Sequence, residues 1–425
     1  MKLSQFGQRL TGESGTLQLM ADLGEALASG GDIISLGGGN PSRIPEMEEI
    51  FRARLHSLAQ SPDGLDYVAG NYDGPTGDGR FIAALAHLLN QKLGWSVTEE
   101  NIAITNGSQS AFFLLFNMLG GEHASGPPRH ILLPLAPEYI GYADVGIGPN
   151  LLRSQRSTIE HLPGRQFKYR VDLDGLEVNE HTAAICVSRP TNPTGNVLTD
   201  GEIDALSRLA REHQIPLILD GAYGVPFPGI VFSDATPRWD EHIILCLSLS
   251  KLGLPGLRTG IVVANRDVIT ALTALNAVVS LAPGSIGPGL TLDLFESGEV
   301  IELSERVIRP FYEARSVEAS KQLLDCLDGY DVFVHKPEGA MFLWLWCRGL
   351  PITNAELYER LKQRGVIVVS GHYFFPGLDD DWTHRHECIR ITYTQPWAKV
   401  KRGLEIIGEE VRRAYDEGRQ TRAVE

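Results

Sequence analysis

Short apolar runs alternate with longer amphipathic segments through the middle of this 425-residue chain. Helical periodicity is present at 201–213 and 267–280, among other segments. The apolar runs have the length and continuous hydrophobicity of strands that are buried on both faces, and they lie at 102–105, 131–134, 184–188, 217–220, 243–247 and 261–264. This alternation predicts an α/β fold with a mostly parallel sheet sandwiched between helices.

The two ends of the chain predict a second, smaller α/β unit. Residues 1–44 precede the alternating pattern, and helices and strands of a different order follow from about residue 311. We therefore predict a large domain at 45–310 and a small domain built from 1–44 together with 311–425. No repeat, long linker or low-complexity tract interrupts this organisation.

Composition narrows the class of protein. A chain with 43% hydrophobic and 21% charged residues can bury a large core. Its net charge of −15 argues against nucleic acid or an anionic membrane as a partner. The five cysteines form no Cys-x-x-Cys pair, and no stretch reaches the ~18–20 apolar residues of a membrane span. We expect a cytoplasmic enzyme without a membrane segment.

The sequence around one lysine is typical of a site with a reactive amine. Lys251 follows the run at 243–247, with Ser248 and Ser250 beside it and Arg258 one Gly/Pro-rich loop later. Desolvation and a nearby cation lower the pKa of a lysine, so that it can attack an aldehyde, and an arginine fork grips a phosphate. This pattern predicts a site for pyridoxal 5′-phosphate. The alternative is a surface lysine after an edge strand.

Two upstream strand ends supply further candidates. Asp220 ends the run at 217–220 and Tyr223 follows three residues later, while Asn192 lies in the turn after the run at 184–188. Ligands of open α/β sheets bind at the carboxyl ends of strands. Asp220 could therefore pair with the pyridine nitrogen, and Asn192 with Tyr223 could bond the phenolic oxygen. Singly, each is equally a cap or turn residue.

A third strand end predicts a phosphate site. Gly107, Ser108 and Gln109 lead from the run at 102–105 into an apolar helix. The free N–H groups of a helix N-terminus and small hydroxyl side chains bind anions. An ordinary capped helix start is the alternative.

In this order and at these separations, the residues resemble those of the fold-type I, class I/II pyridoxal-phosphate aminotransferases. The resemblance spans nearly the whole chain. It implies that Lys251 forms the Schiff base and moves the proton, that Asp220 pairs with the ring nitrogen, and that Asn192 and Tyr223 hold the phenolic oxygen. It also implies a phosphate site made by Ser108, Gln109, Ser248 and Arg258.

The same resemblance assigns four more residues. Tyr139 would stack on the cofactor ring, and Tyr72 would reach the phosphate in a neighbouring subunit, which implies a homodimer with shared active sites. Arg390 lies among apolar residues of a late strand, where a buried cation needs a partner, and it matches the arginine that binds the substrate carboxylate. Gly39 matches the glycine whose N–H meets the same carboxylate.

His384 and His386, before Cys388, could suggest a metal site. No fourth ligand is evident, so we predict no bound metal.

A finer resemblance is to the branch of the family that exchanges an amino group between valine and pyruvate. It rests on Phe6-Gly7, the glycine run before Asn40-Pro41, and Trp344-Leu-Trp346, among other segments. It implies ping-pong formation of 3-methyl-2-oxobutanoate and alanine. The alternatives are another aminotransferase for small aliphatic amino acids, a lyase with the same cofactor, or a non-enzymatic regulator. Candidate pocket walls are Leu17, Leu19, Met20, Tyr139 and Tyr142.

Overall fold

The computed structural model describes residues 1–12, 14, 15, 17, 20, 21, 24 and 33–424, with the side chains of 421–424 left aside. The strands of this part of the chain are β1 Ile34–Ser35, β2 Ile102–Thr105, β3 His130–Ala136, β4 Leu152–Arg156, β5 Thr158–Leu162, β6 Gln166–Arg170, β7 Thr182–Ser188, β8 Leu217–Asp220, β9 Ile243–Ser248, β10 Gly260–Val263, β11 Val332–His335, β12 Phe342–Cys347, β13 Val366–Ile367, β14 Val369–Ser370 and β15 Cys388–Thr392.

The α-helices of the same residues are α1 Gln5–Leu10, α2 Pro45–Gln60, α3 Gly79–Leu93, α4 Ser108–Leu119, α5 Asp200–Glu212, α6 Arg266–Ser280, α7 Ile286–Ser297, α8 Glu299–Leu303, α9 Arg309–Cys326, α10 Asn354–Gln363 and α11 Trp397–Val424. No helix in the described part of the chain is both long enough and apolar enough to cross a membrane.

A seven-stranded sheet in the order β2-β10-β9-β8-β7-β3-β4 forms the centre of the molecule. The neighbours from β9 to β4 are parallel, and β10 is antiparallel to both β9 and β2. Each predicted apolar run coincides with one of these strands to within two residues, and the predicted α/β fold class is confirmed. Continuous burial along β7, β8 and β9 explains why these runs carry no polar alternation.

A second sheet of six strands has the order β14-β15-β12-β11-β6-β5. Most of its strands come from the C-terminal part of the chain, but the hairpin of β5 and β6 comes from within 45–310 and joins by parallel pairing of β6 with β11. Strand β1 pairs in parallel with β13, so the N-terminal segment lies beside C-terminal elements. The domain boundaries stay a prediction. The structure adds that the hairpin of β5 and β6, although it comes from within 45–310, belongs to the second sheet.

The strand register brings the predicted site residues to one edge of the central sheet. Ser188 at the end of β7 is paired with Asp220 at the end of β8, and Asp220 with Cys246 of β9. Lys251 follows the end of β9 in a single 3-10 turn. Parallel pairing therefore converts three distant sequence positions into neighbours.

A cluster of aromatic rings packs helix α7 against α3 and the segment that follows β8. The ring of Phe295 lies 4.6 Å from that of Phe81 and 5.0 Å from that of Phe227, both in edge-to-face geometry. All three residues are buried in the main core. Edge-to-face pairs add to the free energy gained by burying the rings themselves.

Replacing Phe295 with alanine should therefore lower the free energy of unfolding by about 3–5 kcal/mol, because a large cavity would open between α7 and α3. Urea unfolding followed by circular dichroism at fixed protein concentration measures the change. The matched control is Val317→Ala on the exposed face of α9, which should alter stability by less than about 0.5 kcal/mol. Equal midpoints for the two variants would contradict the packing role of Phe295.

Candidate active site

One cavity of about 660 Å³ gathers most of the predicted site residues. Residues of both large sheets and of the N-terminal segment line it. The predicted residues in its wall are Gly39, Ser108, Gln109, Tyr139, Asn192, Asp220, Tyr223, Ser248, Lys251, Arg258 and Arg390. A larger cavity of about 810 Å³ along β3 and β4 contains none of them.

Lys251 presents its amine to this cavity. Its Nζ donates a hydrogen bond of 2.7 Å to the backbone oxygen of Gly39 and lies 5.3 Å from the centre of the Tyr223 ring. Desolvation, followed by the positive charges of Arg390 and Arg258, lowers the pKa of Lys251 to about 8, against an opposing effect of Asp220. A substantial fraction of the amine is therefore neutral, and so nucleophilic, at mildly alkaline pH.

Asp220 forms the acidic part of the cavity floor. Its Oδ2 accepts a hydrogen bond of 2.6 Å from the hydroxyl of Tyr142, and its Oδ1 accepts one of 2.9 Å from the backbone N–H of Ala222. Burial raises the pKa of Asp220, and the two hydrogen bonds and the charge of Lys251 oppose that rise. The carboxyl group is thus fixed in orientation and can accept a further proton donor from the cavity.

The predicted phosphate site lies where α4 begins. Gly107 has a φ of +84°, and a β-carbon built on it would lie only 2.1 Å from Nη2 of Arg258. Glycine is therefore required if Arg258 is to approach the free N–H groups at the start of the helix. Nη1 of Arg258 lies 3.4 Å from Oγ of Ser250. Arg258 forms no ion pair with any carboxylate of the described chain, so its charge is available to an anion.

Arg390 is a buried cation on β15, with only 2% of its surface exposed. Its Nη1 donates to Oδ1 of Asn192 at 2.7 Å, and its Nη2 donates to the backbone oxygen of Gly37 at 2.6 Å. The rings of Phe342 and Phe374 lie 4.2 Å and 5.1 Å from the guanidinium carbon. Burial lowers the pKa of Arg390 to about 10.

The remaining donor capacity of Arg390 points to an anionic ligand. Its Nε has no hydrogen-bond partner, and no carboxylate of the described residues forms an ion pair with it. A buried cation without an internal counter-charge is costly, and a planar guanidinium matches a carboxylate in geometry. The arrangement can therefore bind the carboxylate of a small molecule.

Glu138 is a buried residue of this region to which the sequence analysis gave no role. It accepts hydrogen bonds from the N–H and hydroxyl of Ser188, at 2.8 Å and 2.7 Å, and from the N–H of Tyr139 at 3.0 Å. Burial raises its pKa to about 8 although these bonds oppose the rise. Glu138 thus ties the turn that carries Tyr139 to the end of β7. Its position next to Tyr139 was a sequence signal that it lies near the site, but no local pattern identifies Ser188 as its hydrogen-bond partner.

Some predicted wall residues do not line the cavity. Met20 and Tyr139 are in its wall, whereas Leu17 is exposed to solvent outside it. Tyr142 lies behind the wall because its hydroxyl turns inward to Asp220. The predictions for Leu17 and Tyr142 are therefore wrong, and Leu19 lies outside the described residues.

Two predicted site residues contact the cavity indirectly or not at all in this chain. Gly107 lies next to the lining residue Ser108 and packs against Arg258, as described above. Tyr72 is 84% exposed and does not line the cavity of its own chain.

Known proteins similar to this chain share its full length. It is 51% identical to the valine–pyruvate aminotransferase of Escherichia coli K12 over 98% of this chain and 100% of that protein. A valine–pyruvate aminotransferase structure from Salmonella typhimurium LT2 matches with 50% identity and a TM-score of 0.88, over 95% of this chain and 100% of that one.

A structure from Psychrobacter arcticum 273-4, assigned as an amino-acid aminotransferase, matches with 46% identity and a TM-score of 0.95, over 98% of this chain and 99% of that one. The sequence model of the family "Aminotransferase class I and II" matches residues 66–407. The family resemblance predicted from the motifs is thereby confirmed. The chain belongs to the class I and II aminotransferases.

Proposed function

We propose that this aminotransferase exchanges an amino group between valine and pyruvate, forming 3-methyl-2-oxobutanoate and alanine. The observation that carries the proposal is the presence in one cavity of two basic groups suited to different tasks, an amine of lowered pKa on Lys251 and a buried guanidinium on Arg390. The relative from Escherichia coli, which is 51% identical over its full length, bears the name of this substrate pair.

Pyridoxal 5′-phosphate is the cofactor of this family, and the residues of the cavity fit it. The guanidinium of Arg258, packed against Gly107 at the start of α4, suits a phosphate, and the buried carboxylate of Asp220 suits a protonated ring nitrogen. When bound, the cofactor supplies an aldehyde and an electron-withdrawing ring that stabilises negative charge at the substrate α-carbon.

The division of roles follows the sequence predictions. Asp220 would hold the ring nitrogen, Asn192 and Tyr223 the phenolic oxygen, and Tyr139 the ring face. The phosphate would be held by Gly107, Ser108, Gln109, Ser248 and Arg258.

Arg390 would act on the substrate first and Lys251 second. The guanidinium of Arg390 would bind the α-carboxylate through its fork, with the N–H of Gly39 as a further donor. Nζ of Lys251 would then remove the α-proton and return it on the cofactor side, since its lowered pKa leaves a substantial fraction of the amine neutral and able to accept a proton at mildly alkaline pH. The oxo acid leaves, and pyruvate runs the same steps in reverse.

The charges of the cavity favour a substrate with an uncharged side chain. Beyond Lys251, Arg258 and Arg390, the described wall contains one more cation, Lys399, which is exposed at the rim. A second carboxylate would therefore find no buried counter-charge. The apolar residues Met20, Ile33 and Ile140 are also in the wall, and they suit an aliphatic side chain.

A homodimer is part of the proposal, because an exposed apolar surface adjoins the phosphate site. The surface is made by Tyr72, Val278, Val279, Leu281 and Ile286. A hydrogen bond from the hydroxyl of Ser285 to the carboxylate of Asp73 joins the two chain segments that form this surface. The N–H of Gly284 donates to the side chain of Asn106, which lies next to Gly107 of the predicted phosphate site. Large exposed apolar patches mark protein interfaces. A second copy seated here would bring its own Tyr72 towards the phosphate.

We also propose a cytoplasmic location. All five cysteines are free thiols, and Cys186, Cys246, Cys347 and Cys388 are buried. Free buried thiols are typical of a reducing compartment.

The principal test follows the absorbance of the bound cofactor as its aldehyde form converts to the amine form. Valine and alanine, added separately without an oxo acid, should drive the conversion, whereas aspartate and glutamate should be much slower because the described part of the cavity wall has no further buried cation for a second carboxylate. Lys251→Ala should lose the absorbance of cofactor joined to the lysine, and its turnover should fall by roughly 10²–10⁴-fold or more.

The matched control is Lys321→Ala, an exposed lysine of α9, which should behave like the unmodified protein. Near-normal transamination by Lys251→Ala with unchanged absorbance would refute the assignment. Continuous turnover of valine without any oxo acid would show a lyase instead.

The pKa of Lys251 predicts how cofactor incorporation depends on pH. Only the neutral amine attacks an aldehyde, so the rate constant for loading the cofactor-free protein should rise with pH, with a midpoint near 8. An ordinary lysine would give a midpoint near 10.4. Arg390→Met removes a charge that lowers this pKa and should move the midpoint upward, whereas Arg348→Met, on an exposed ion pair, should not. Identical midpoints in all three proteins would contradict this electrostatic coupling.

The shared active site can be tested by mixing two defective chains. Lys251→Ala and Tyr72→Ala chains, expressed together, should recover about a quarter of normal activity at limiting cofactor, because half of randomly assembled dimers are hybrids with one intact site. Lys251→Ala with Asp220→Ala is the matched control and should recover nothing, since both residues belong to one chain's site. No recovery in the first mixture would place Tyr72 outside the partner's site.

A further inference from the structure

A buried ion pair outside the cavity contacts the loop that carries Asn192. Lys168 on β6 and Glu338, between β11 and β12, form this pair, and their side chains are 4% and 5% exposed. Nζ of Lys168 also donates to the backbone oxygen of Val197 at 2.9 Å, and Oε2 of Glu338 accepts from the N–H of Val197 at 3.2 Å. The two side chains therefore bind both the N–H and the backbone oxygen of Val197.

The loop transmits this hold to Asn192. The N–H of Thr191 donates to the backbone oxygen of Asn196 at 2.8 Å, and the N–H of Gly195 donates to the oxygen of Thr191 at 2.8 Å. These bonds close the turn, so that fixing Val197 fixes the residues just before it. Asn192 in turn accepts from Arg390, as described above.

The segment around Glu338 leaves the loop no room to shift. A β-carbon built on Gly195 would lie 2.6 Å from the backbone oxygen of Gly339, and one built on Gly339 would lie 2.6 Å from Cγ of Pro190. The backbone oxygen of Glu338 accepts a hydrogen bond of 2.7 Å from the N–H of Phe232. This segment of the six-stranded sheet is thus packed directly against the loop of the seven-stranded sheet.

We propose that Lys168 and Glu338 form a clamp that positions Asn192, and through Asn192 the guanidinium of Arg390, for cofactor and substrate binding. Neither residue lines the cavity, so both are positioning residues and act through the loop. The proposal rests on the proposed function for the roles of Asn192 and Arg390. A purely structural ion pair would contribute to stability without setting the geometry of the site.

The test compares Glu338→Gln with Glu410→Gln. The first change keeps the shape of the side chain but removes the negative charge that faces Lys168 and Lys336, so the remaining amide oxygen holds Lys168 and the N–H of Val197 more weakly. Glu410 on α11 is the matched control, because it is equally buried and pairs with Arg360, Arg364 and Arg413 away from the cavity. Both substitutions should lower the melting temperature.

Only Glu338→Gln should alter the site. Because Asn192 is expected to hold the phenolic oxygen, the midpoint of the cofactor's absorbance titration against pH should rise by roughly 0.5–1 pH unit, the effect of one weakened hydrogen bond. KM for valine should rise about three- to tenfold with a smaller change in kcat, because Arg390 is misplaced.

A double variant, Lys168→Met with Glu338→Leu, separates positioning from stability. Replacing both charges with apolar groups can restore stability, but it cannot restore the contacts with Val197. The melting temperature should therefore rise above that of Glu338→Gln, without full recovery because the N–H and backbone oxygen of Val197 lose these partners, while the shifted titration midpoint and KM remain. The clamp is refuted if Glu338→Gln behaves like Glu410→Gln, or if the double variant regains the original midpoint and KM. Failure of the unmodified protein to react with valine would instead refute the proposed function, and the absorbance titration would still report on the clamp.

Discussion

The burial of one guanidinium determines the geometry of this site. Arg390 on β15 takes hydrogen-bond acceptors from Gly37 in the N-terminal segment and from Asn192 in the loop after β7, and it lies between two aromatic rings. Taking such an ion out of water costs several kcal/mol unless it is compensated. Three segments that are distant in sequence must therefore converge on Arg390, and their convergence forms the cavity.

The loop of residues 189–198 is the place where the two large sheets meet. The loop follows β7 of the seven-stranded sheet, yet it contacts residues of the six-stranded sheet. Arg390 and Lys168 lie on strands of that sheet, and Glu338 lies between two of its strands. Arg189 anchors the other side of the loop, because its backbone N–H donates to the backbone oxygen of Asp220 on β8 at 2.9 Å. The loop is thus fixed from both sheets, which keeps the side chain of Asn192 in register with the guanidinium of Arg390.

The sequence predicted those residues whose position follows from local order. Asp220 and Lys251 come after continuous apolar runs, and in a parallel sheet the ends of such runs must meet, so their proximity could be inferred without knowing any contact. Contacts between side chains could not be inferred in this way. Tyr142 bonds Asp220 across 78 positions, and Lys168 meets Glu338 across 170, because the β5–β6 hairpin pairs with a strand far along the chain. No periodicity or motif encodes that choice of partner.

The cations of the cavity explain why one lysine becomes reactive. Arg390 and Arg258 both lower the pKa of Lys251, and Asp220 offsets only part of their effect. Repulsion among these groups is unfavourable in the protein alone, since none of the three cations has a carboxylate partner among the described residues. In the proposed function two anions would relieve that repulsion, a phosphate beside Arg258 and a carboxylate beside Arg390. The same arrangement of charges therefore favours two anions in the cavity, and it lowers the pKa of Lys251 most strongly before those anions are bound.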